Sequence, residues 1–337
     1  MKQIGIILLL ALLSAGCGEP LSTSCPRPSE VSLATQDLLT QRLTATPFPS
    51  ARVSPTLNPP KGKLAFSSDR EGNWEIYVMD LRDLGTANLT KYPGWDFLPL
   101  WRPSSNEVAF RSDRGGGIAT ECDNGEEVPR IRWYLMALDG TGVRELRWNG
   151  EQPAWMSLSW SPDGKRLAYG ETFCTESANG FEVLFRIGVM DTEGRNGKVL
   201  TSGLFPCWSP TGEWIAFVRY PNGVHDRIPS DLFLIRPDGL GERLLFESPV
   251  PIHEFVWNPN GKEIAFAADG AIWIVDLEGM PRQLSKSAFH RCTAWSPDGE
   301  WLACERQGDI YAVRVDDALI MRLTDDPGED SFPNWIP

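Results

Sequence analysis

WSPDGKRLAY at residues 160–169 decides the fold, because the chain repeats it as WRPSSNEVAF at 101–110, WSPTGEWIAF at 208–217, WNPNGKEIAF at 257–266 and WSPDGEWLAC at 295–304. A sixth Trp-x-Pro, Trp335-Ile336-Pro337, stands at the end of the sequence. The tryptophans are separated by 59, 48, 49, 38 and 40 residues, which brackets the roughly 40–45 residues of a four-stranded propeller blade. Each unit opens with a short strand running into the Trp (A). Pro-Asp-Gly or Pro-Asn-Gly then supplies a tight turn, since Pro fixes φ and Gly accepts the left-handed position. The Ala-aromatic strand follows (B), then a variable connection and an apolar strand (C): EIYVMDL at 75–81, DLFLI at 231–235, AIWIVDL at 271–277 and DIYAV at 309–313. A last strand (D) carries Leu89, Leu146, Leu200, Leu244, Leu284 or Leu323. The C strands do not alternate apolar and polar residues, as expected of a sheet covered on both faces by neighbouring blades.

The two ends of the repeat complete each other. Lys63 to Thr90 supplies B, C and D strands without a good Trp-x-Pro strand before them, and Trp335-Ile336-Pro337 supplies an A strand with no B strand after it. The expectation is an all-β, six-bladed β-propeller of four-stranded antiparallel blades over residues 57–337. Its ring is closed by the C-terminal strand joining the first blade, which removes the open sheet edge.

Trp-Ser-Pro-Asp-Gly-x-x-Leu-Ala-Tyr followed by Ile-Tyr-Val-Met-Asp resembles the TolB-type propeller repeat, which also builds the propellers of prolyl oligopeptidases and dipeptidyl peptidases. The resemblance covers about residues 57–337. It implies a periplasmic scaffold that binds proteins through its propeller, while the separate α/β domain that precedes the propeller in TolB is not expected here.

The N-terminus reads as an export signal over residues 1–16. Lys2 precedes an apolar run, Ile4 to Leu13, too short to span a bilayer. Leu13-Ser14-Ala15-Gly16-Cys17 resembles a lipobox, which makes Cys17 the lipidation site and the lipid the protein's link to the outer side of a cell or outer membrane. Residues 17–56 are rich in Pro, Ser and Thr without apolar periodicity, so a flexible tether is expected. The formal net charge of −13 argues against nucleic acid as a partner, and a monomer is expected. Of seven cysteines, Cys25 lies in the tether, and Cys122 and Cys174 lie in long B–C connections of consecutive blades, where a disulfide between them is expected. Cys207, Cys292 and Cys304 fall on or beside strands and read as small buried thiols.

Catalytic motifs are scarce. There is no Gly-x-Ser-x-Gly nucleophile elbow, Gly164-Lys165 sits in a hairpin turn rather than a phosphate loop, and the three histidines lack a metal-ligand spacing. No cofactor, metal or catalytic residue is expected. Asp163 and Asp298 belong to turn chemistry rather than to a calcium site. Ser68-Asp69-Arg70 and Ser112-Asp113-Arg114 read as local ion pairs anchoring a loop. The B–C connections at 111–132, 170–186 and 218–230 are long and share one face with the D–A connections, so they build up one sector of one rim. Candidate binding-face residues there are Glu121, Asp123, Glu126, Glu127, Arg130, Arg132, Glu171, Glu176, Arg186, Asp226 and Arg227. His253 and His290 join them at A-strand starts near the channel mouth. The expected function is a non-catalytic, lipid-anchored scaffold that recognises a protein, peptide or glycan. The alternatives are a propeller-type lyase or glycosidase, with carboxylates or His converging at the mouth, and a purely structural envelope protein.

Overall fold

The computed structural model describes residues 59–120, 127–148, 156–177, 180–220, 229–252 and 254–336. Among these the strands form six four-stranded antiparallel sheets in a ring, the six-bladed propeller read from the repeat. Blade 1 takes its A strand from the far end of the chain (Asp330–Ile336) and its B, C and D strands from Lys63–Ser68, Glu75–Asp80 and Gly85–Asn88. In blade 2 the strands are Asp96–Trp101, Glu107–Ser112, Arg132–Ala137 and Arg144–Glu145, and in blade 3 Met156–Trp160, Arg166–Ser177, Gly180–Asp191 and Lys198–Thr201. Blade 4 comprises Leu204–Trp208, Ile215–Arg219, Asp231–Ile235 and Arg243–Glu247, and blade 5 Phe255–Trp257, Glu263–Ala268, Ala271–Asp276 and Pro281–Ser285. Blade 6 holds Arg291–Trp295, Trp301–Arg306, Asp309–Arg314 and Ile320–Arg322.

Closure is a ladder from Lys63 opposite Ile336 to Ser68 opposite Asp330. Trp335 is buried with Leu64, Tyr77 and blade 6's Trp301, and its Nε1–H donates to the Lys61 carbonyl at 2.8 Å. Two of the repeat tryptophans also tie neighbouring blades together. Trp257 Nε1–H donates to the Cys207 carbonyl at 3.0 Å, and Trp295 Nε1–H to the Val256 carbonyl at 3.1 Å. Each spans from one blade's A strand to the preceding one. The Trp-x-Pro turns form a second ring on the lower face, which carries the A–B and C–D turns. Gly164, with φ of +65°, backs so closely on blade 2 that a Cβ there would lie 2.3 Å from the Pro103 carbonyl oxygen. Only glycine meets both requirements.

Several A strands contain an extra residue against B. The register slips between Phe97 and Leu100 in blade 2, Leu204 and Cys207 in blade 4, and Ser331 and Asn334 in blade 1. In all three the slip contains a positive-φ residue followed by proline: Leu98-Pro99, Phe205-Pro206 and Phe332-Pro333. Proline has no N–H for the ladder, so a bulge is where a strand tolerates it. Blade 6 slips at the same place, between Cys292 and Ala294, with Thr293 in the proline position and no positive-φ residue.

That bulge overturns part of the cysteine reading. Cys292 and Cys304 are not thiols; they are opposite one another and joined by a disulfide, with Cα atoms 4.0 Å apart and both residues wholly buried. Among the described residues Cys207 is a free thiol, and burial pushes it up to about 11. In blade 4 a second bulge, in the C–D pairing, leaves Leu244 exposed and buries Leu245 in its place. Cys17, Cys25, Cys122 and the tether lie outside the described residues.

Candidate functional site

The B–C and D–A connections and the starts of the A strands define the upper face. Of the three long connections there, the one at 170–186 is not a loop. In blade 3 the described A–B pairing begins with Met156 opposite Glu171, and B and C stay paired from there to Ser177 opposite Gly180. Six B–C rungs therefore continue past that pair, about 20 Å at a strand's rise. In blade 2 the connection folds into a second ribbon, Ile118–Thr120 paired with Glu127–Pro129.

The candidate charges meet different fates. Glu171 and Arg186 face each other across the last full rung and form an ion pair. Arg132 donates to the Gly116 carbonyl at 2.9 Å and lies 3.7 Å from Glu145. Arg130 is half-buried on the blade 2 ribbon, and its backbone N–H donates to the Gly117 carbonyl at 3.1 Å. His290 is exposed at the start of blade 6. Glu121, Asp123, Glu126, Asp226, Arg227 and His253 lie outside the described residues, as do the side chains of Glu127, Cys174 and Glu176.

The two Ser-Asp-Arg stretches are more than loop anchors. Arg70 folds back so that its backbone N–H and Nε both donate to Ser68 Oγ, stacks over Tyr77 at 4.7 Å, and reaches the wholly buried Asp330 with Nη2 at 2.9 and 3.1 Å. Arg114 repeats this with Ser112, Tyr134 and the buried Asp96. Each arginine ties its blade's B–C corner to the first residue of its A strand. Burial pushes the Asp96 carboxyl up to about 6, although Ser112 and Arg114 pull the other way. The turn aspartates are occupied locally: Asp163 by Ser161 and the Lys165 N–H, Asp298 by Ser296 and the Glu300 N–H.

The mouth of the channel holds a charge cluster that the sequence reading missed. Arg291, one residue past His290, places Nη1 3.7 Å from Glu305 and Nε 3.8 Å from Glu254. Its guanidinium lies 4.9 Å above the Phe332 ring. Glu305 Oε1 accepts the Phe332 N–H at 2.6 Å, and Thr293 donates to the Pro333 carbonyl at 2.6 Å. Blades 5, 6 and 1 thus meet here, and blade 6 fastens the bulge of the closing strand. Burial raises Glu305 to about 7; Arg291 opposes this and Glu254 adds to it. Glu254 and Glu329 are raised by burial as well. Burial alone would lower Arg291, but the carboxylates around it hold it above its ordinary value. Histidine drew attention to the right place, and the charged group was its neighbour on the opposite side of the strand. Among the described residues no group of three or more His, Cys, Asp or Glu could hold a metal ion.

The TolB beta propeller domain family matches residues 27–225. The chain belongs to that family. Its repeat continues beyond the matched stretch to Ile336, as the sixth blade shows. The Tol-Pal system protein TolB of Gluconobacter oxydans is 26% identical over 261 residues, covering 73% of this chain and 51% of that protein. The chain therefore spans about half the length of that relative. TolB from Acinetobacter baumannii superimposes with a TM-score of 0.58 at 18% identity, over 81% of this chain and 66% of that one. An oligogalacturonate lyase in complex with manganese does so with a TM-score of 0.50 at 17% identity, over 77% and 73%. Both structural likenesses concern the fold.

Proposed function

We propose that this TolB-type propeller is a non-catalytic binding scaffold of the bacterial envelope, acting as a monomer and taking a protein, peptide or glycan on its upper face. The observation that carries the reading is the blade 3 ribbon, a B–C pair continued about 20 Å past the first described A-strand rung, on the face that also carries the charged mouth cluster. The edge of a β-ribbon is a surface to which an extended segment can add by main-chain hydrogen bonds. The name of the Gluconobacter relative supports an envelope role. Lipid attachment at Cys17 fits this arrangement, because the chain enters the ring at Lys61 on the lower face. A tether over 17–56 then reaches the propeller from the side opposite the mouth. A Cys122–Cys174 bridge between the two ribbons remains part of this proposal, tested by peptide mapping of non-reduced protein.

A photo-crosslinking residue at His290 on the upper face should capture an envelope component, while one at Lys262 on the lower face should not. Equal capture from both faces would sink the reading. Cys17→Ser should move the protein from the detergent to the aqueous phase. A second reading, a lyase, draws on one observation: a buried glutamate titrating near neutrality beside an arginine, a base next to a group that could neutralise a uronate carboxylate. Unsaturated products from uronate oligosaccharides, lost in Glu305→Gln, would favour it over the binder.

A further inference from the structure

Blade 6 differs from the other blades with a bulged A strand. Blades 1, 2 and 4 fix the extra residue with a positive-φ residue and a proline two residues before the repeat Trp. Blade 6 has neither. Its strand turns on Thr293, and immediately on the mouth side of Thr293 lies the Cys292–Cys304 disulfide. The next rung is Arg291 opposite Glu305, and His290 N–H closes the strand onto the Glu305 carbonyl at 3.0 Å.

We propose that the Cys292–Cys304 disulfide is a register lock that assembles the channel mouth, holding the blade 6 bulge at Thr293 and thereby Arg291 opposite Glu305. Counting back from Trp295 opposite Leu302 without a bulge, Thr293 falls opposite Cys304, Cys292 opposite Glu305 and Arg291 opposite Arg306. A one-residue slip sends every side chain beyond it to the other face. In the plain register two arginines meet, so a strand released from the bridge has no second good pairing and its mouth end frays. The contacts at risk are those that fasten the closing strand: Glu305 to the Phe332 N–H, Thr293 to the Pro333 carbonyl, and the Arg291 guanidinium over the Phe332 ring.

The lock has a chemical condition. Closing it takes one proton and one electron from each thiol, and a disulfide-bearing oxidant accepts both pairs and ends as a dithiol. Since both residues are wholly buried in the finished blade, the bond forms during folding, in an oxidising compartment. The mouth cluster therefore belongs to protein folded outside the reducing cytoplasm. This holds whatever the upper face binds.

The test compares the parent with Cys292→Ala/Cys304→Ala by hydrogen exchange and by the pH dependence of stability. Exchange at positions 290 to 292 should rise at least about tenfold while the C strands of blades 1 to 4 keep their protection, as expected when one element opens locally. The fall in stability between pH 6 and pH 8, which Glu305 causes, should flatten. A third variant restores the other blades' device in place of the bridge: Cys292→Gly/Thr293→Pro/Cys304→Ala. It should return both readouts toward the parent. Parent-like exchange and pH slope in the cysteine-free chain would overturn the proposal. If that chain does not fold, the proline variant decides: a folded ring with a protected mouth supports the lock, and an unfolded one overturns it.

Discussion

Blades 1 and 2 and blade 6 solve one problem in two ways. All three carry an extra A-strand residue near the channel mouth. In blades 1 and 2 the bulge is set by Phe332-Pro333 or Leu98-Pro99, and the corner is held by Arg70 on Asp330 or Arg114 on Asp96. In blade 6 Gly308 stands four residues past Cys304, as Arg70 stands past Phe66, so that clasp is missing. A covalent bond takes its place. The comparison teaches that a repeat conserves a geometric need while changing the chemistry that meets it. Where the clasp is absent the mouth holds a buried charge cluster instead, and the disulfide lies next to it.

The largest expected effect comes from removing one whole bulged strand. Deleting residues 330–337 takes away blade 1's A strand, the buried Trp335 and the ladder to Lys63–Ser68. Losing a buried Trp costs about 3–5 kcal/mol and each ladder bond about 1 kcal/mol, against a typical stability of about 5–15 kcal/mol. The truncated chain should be insoluble or rapidly proteolysed; a parent-like melting temperature would contradict the closure.

Breaking a clasp comes next. Arg70→Ala leaves Asp330 wholly buried without its cation, which should cost about 3–5 kcal/mol in denaturant unfolding. Arg114→Ala should do the same through Asp96 in blade 2. If either is nearly silent, the arginines are surface ornaments and the contrast with blade 6 fails. Removing the Cys292–Cys304 bridge should cost about 3 kcal/mol for a loop of this length. The cost should appear in non-reducing conditions only, since reduced and unfolded parent protein starts from the same state as the variant.

The smallest effect is the dependence on pH. Burial raises Glu305 to about 7 and Asp96 to about 6, so both are raised above their values in the unfolded chain. The folded protein then binds more protons than the unfolded one over this range. Stability is present in full below the ordinary carboxylate range and is lost as pH rises through 6 and then 7. The decline from pH 5 to pH 8 should be a few kcal/mol at most. Glu305→Gln should remove the part above pH 6 and leave the part belonging to Asp96. An unchanged slope in Glu305→Gln would show that Glu305 titrates normally and that blade 6's mouth is wetter than its packing implies.

Much of this molecule was legible in the chain. Trp-x-Pro, the Gly turn and the Ala-aromatic strand are each satisfied within about ten residues, so their spacing reports blade number, strand order and closure. The ribbons were harder to see. Residues 170–186 look like a loop because nothing in their composition says that B and C remain paired through them. The proline bulges were visible as Leu98-Pro99, Phe205-Pro206 and Phe332-Pro333, each two residues before a repeat Trp position, and that spacing was the signal overlooked. Proposed rim charges such as Glu171 and Arg186 proved to be each other's partners, which only a cross-strand register reveals.

By itself, then, the sequence determined the repeat: six units, four strands in each, and a ring sealed from both ends, because each element is specified by residues close together in the chain. The tertiary structure decided which side chains meet at the mouth. A single extra residue at Thr293 moves Cys292 from Glu305 to Cys304 and Arg291 from Arg306 to Glu305. Side chains alternate with a period of two along a strand, so one inserted residue reverses every assignment beyond it. Whether it is inserted depends on the pairing of strands and on packing against the next blade.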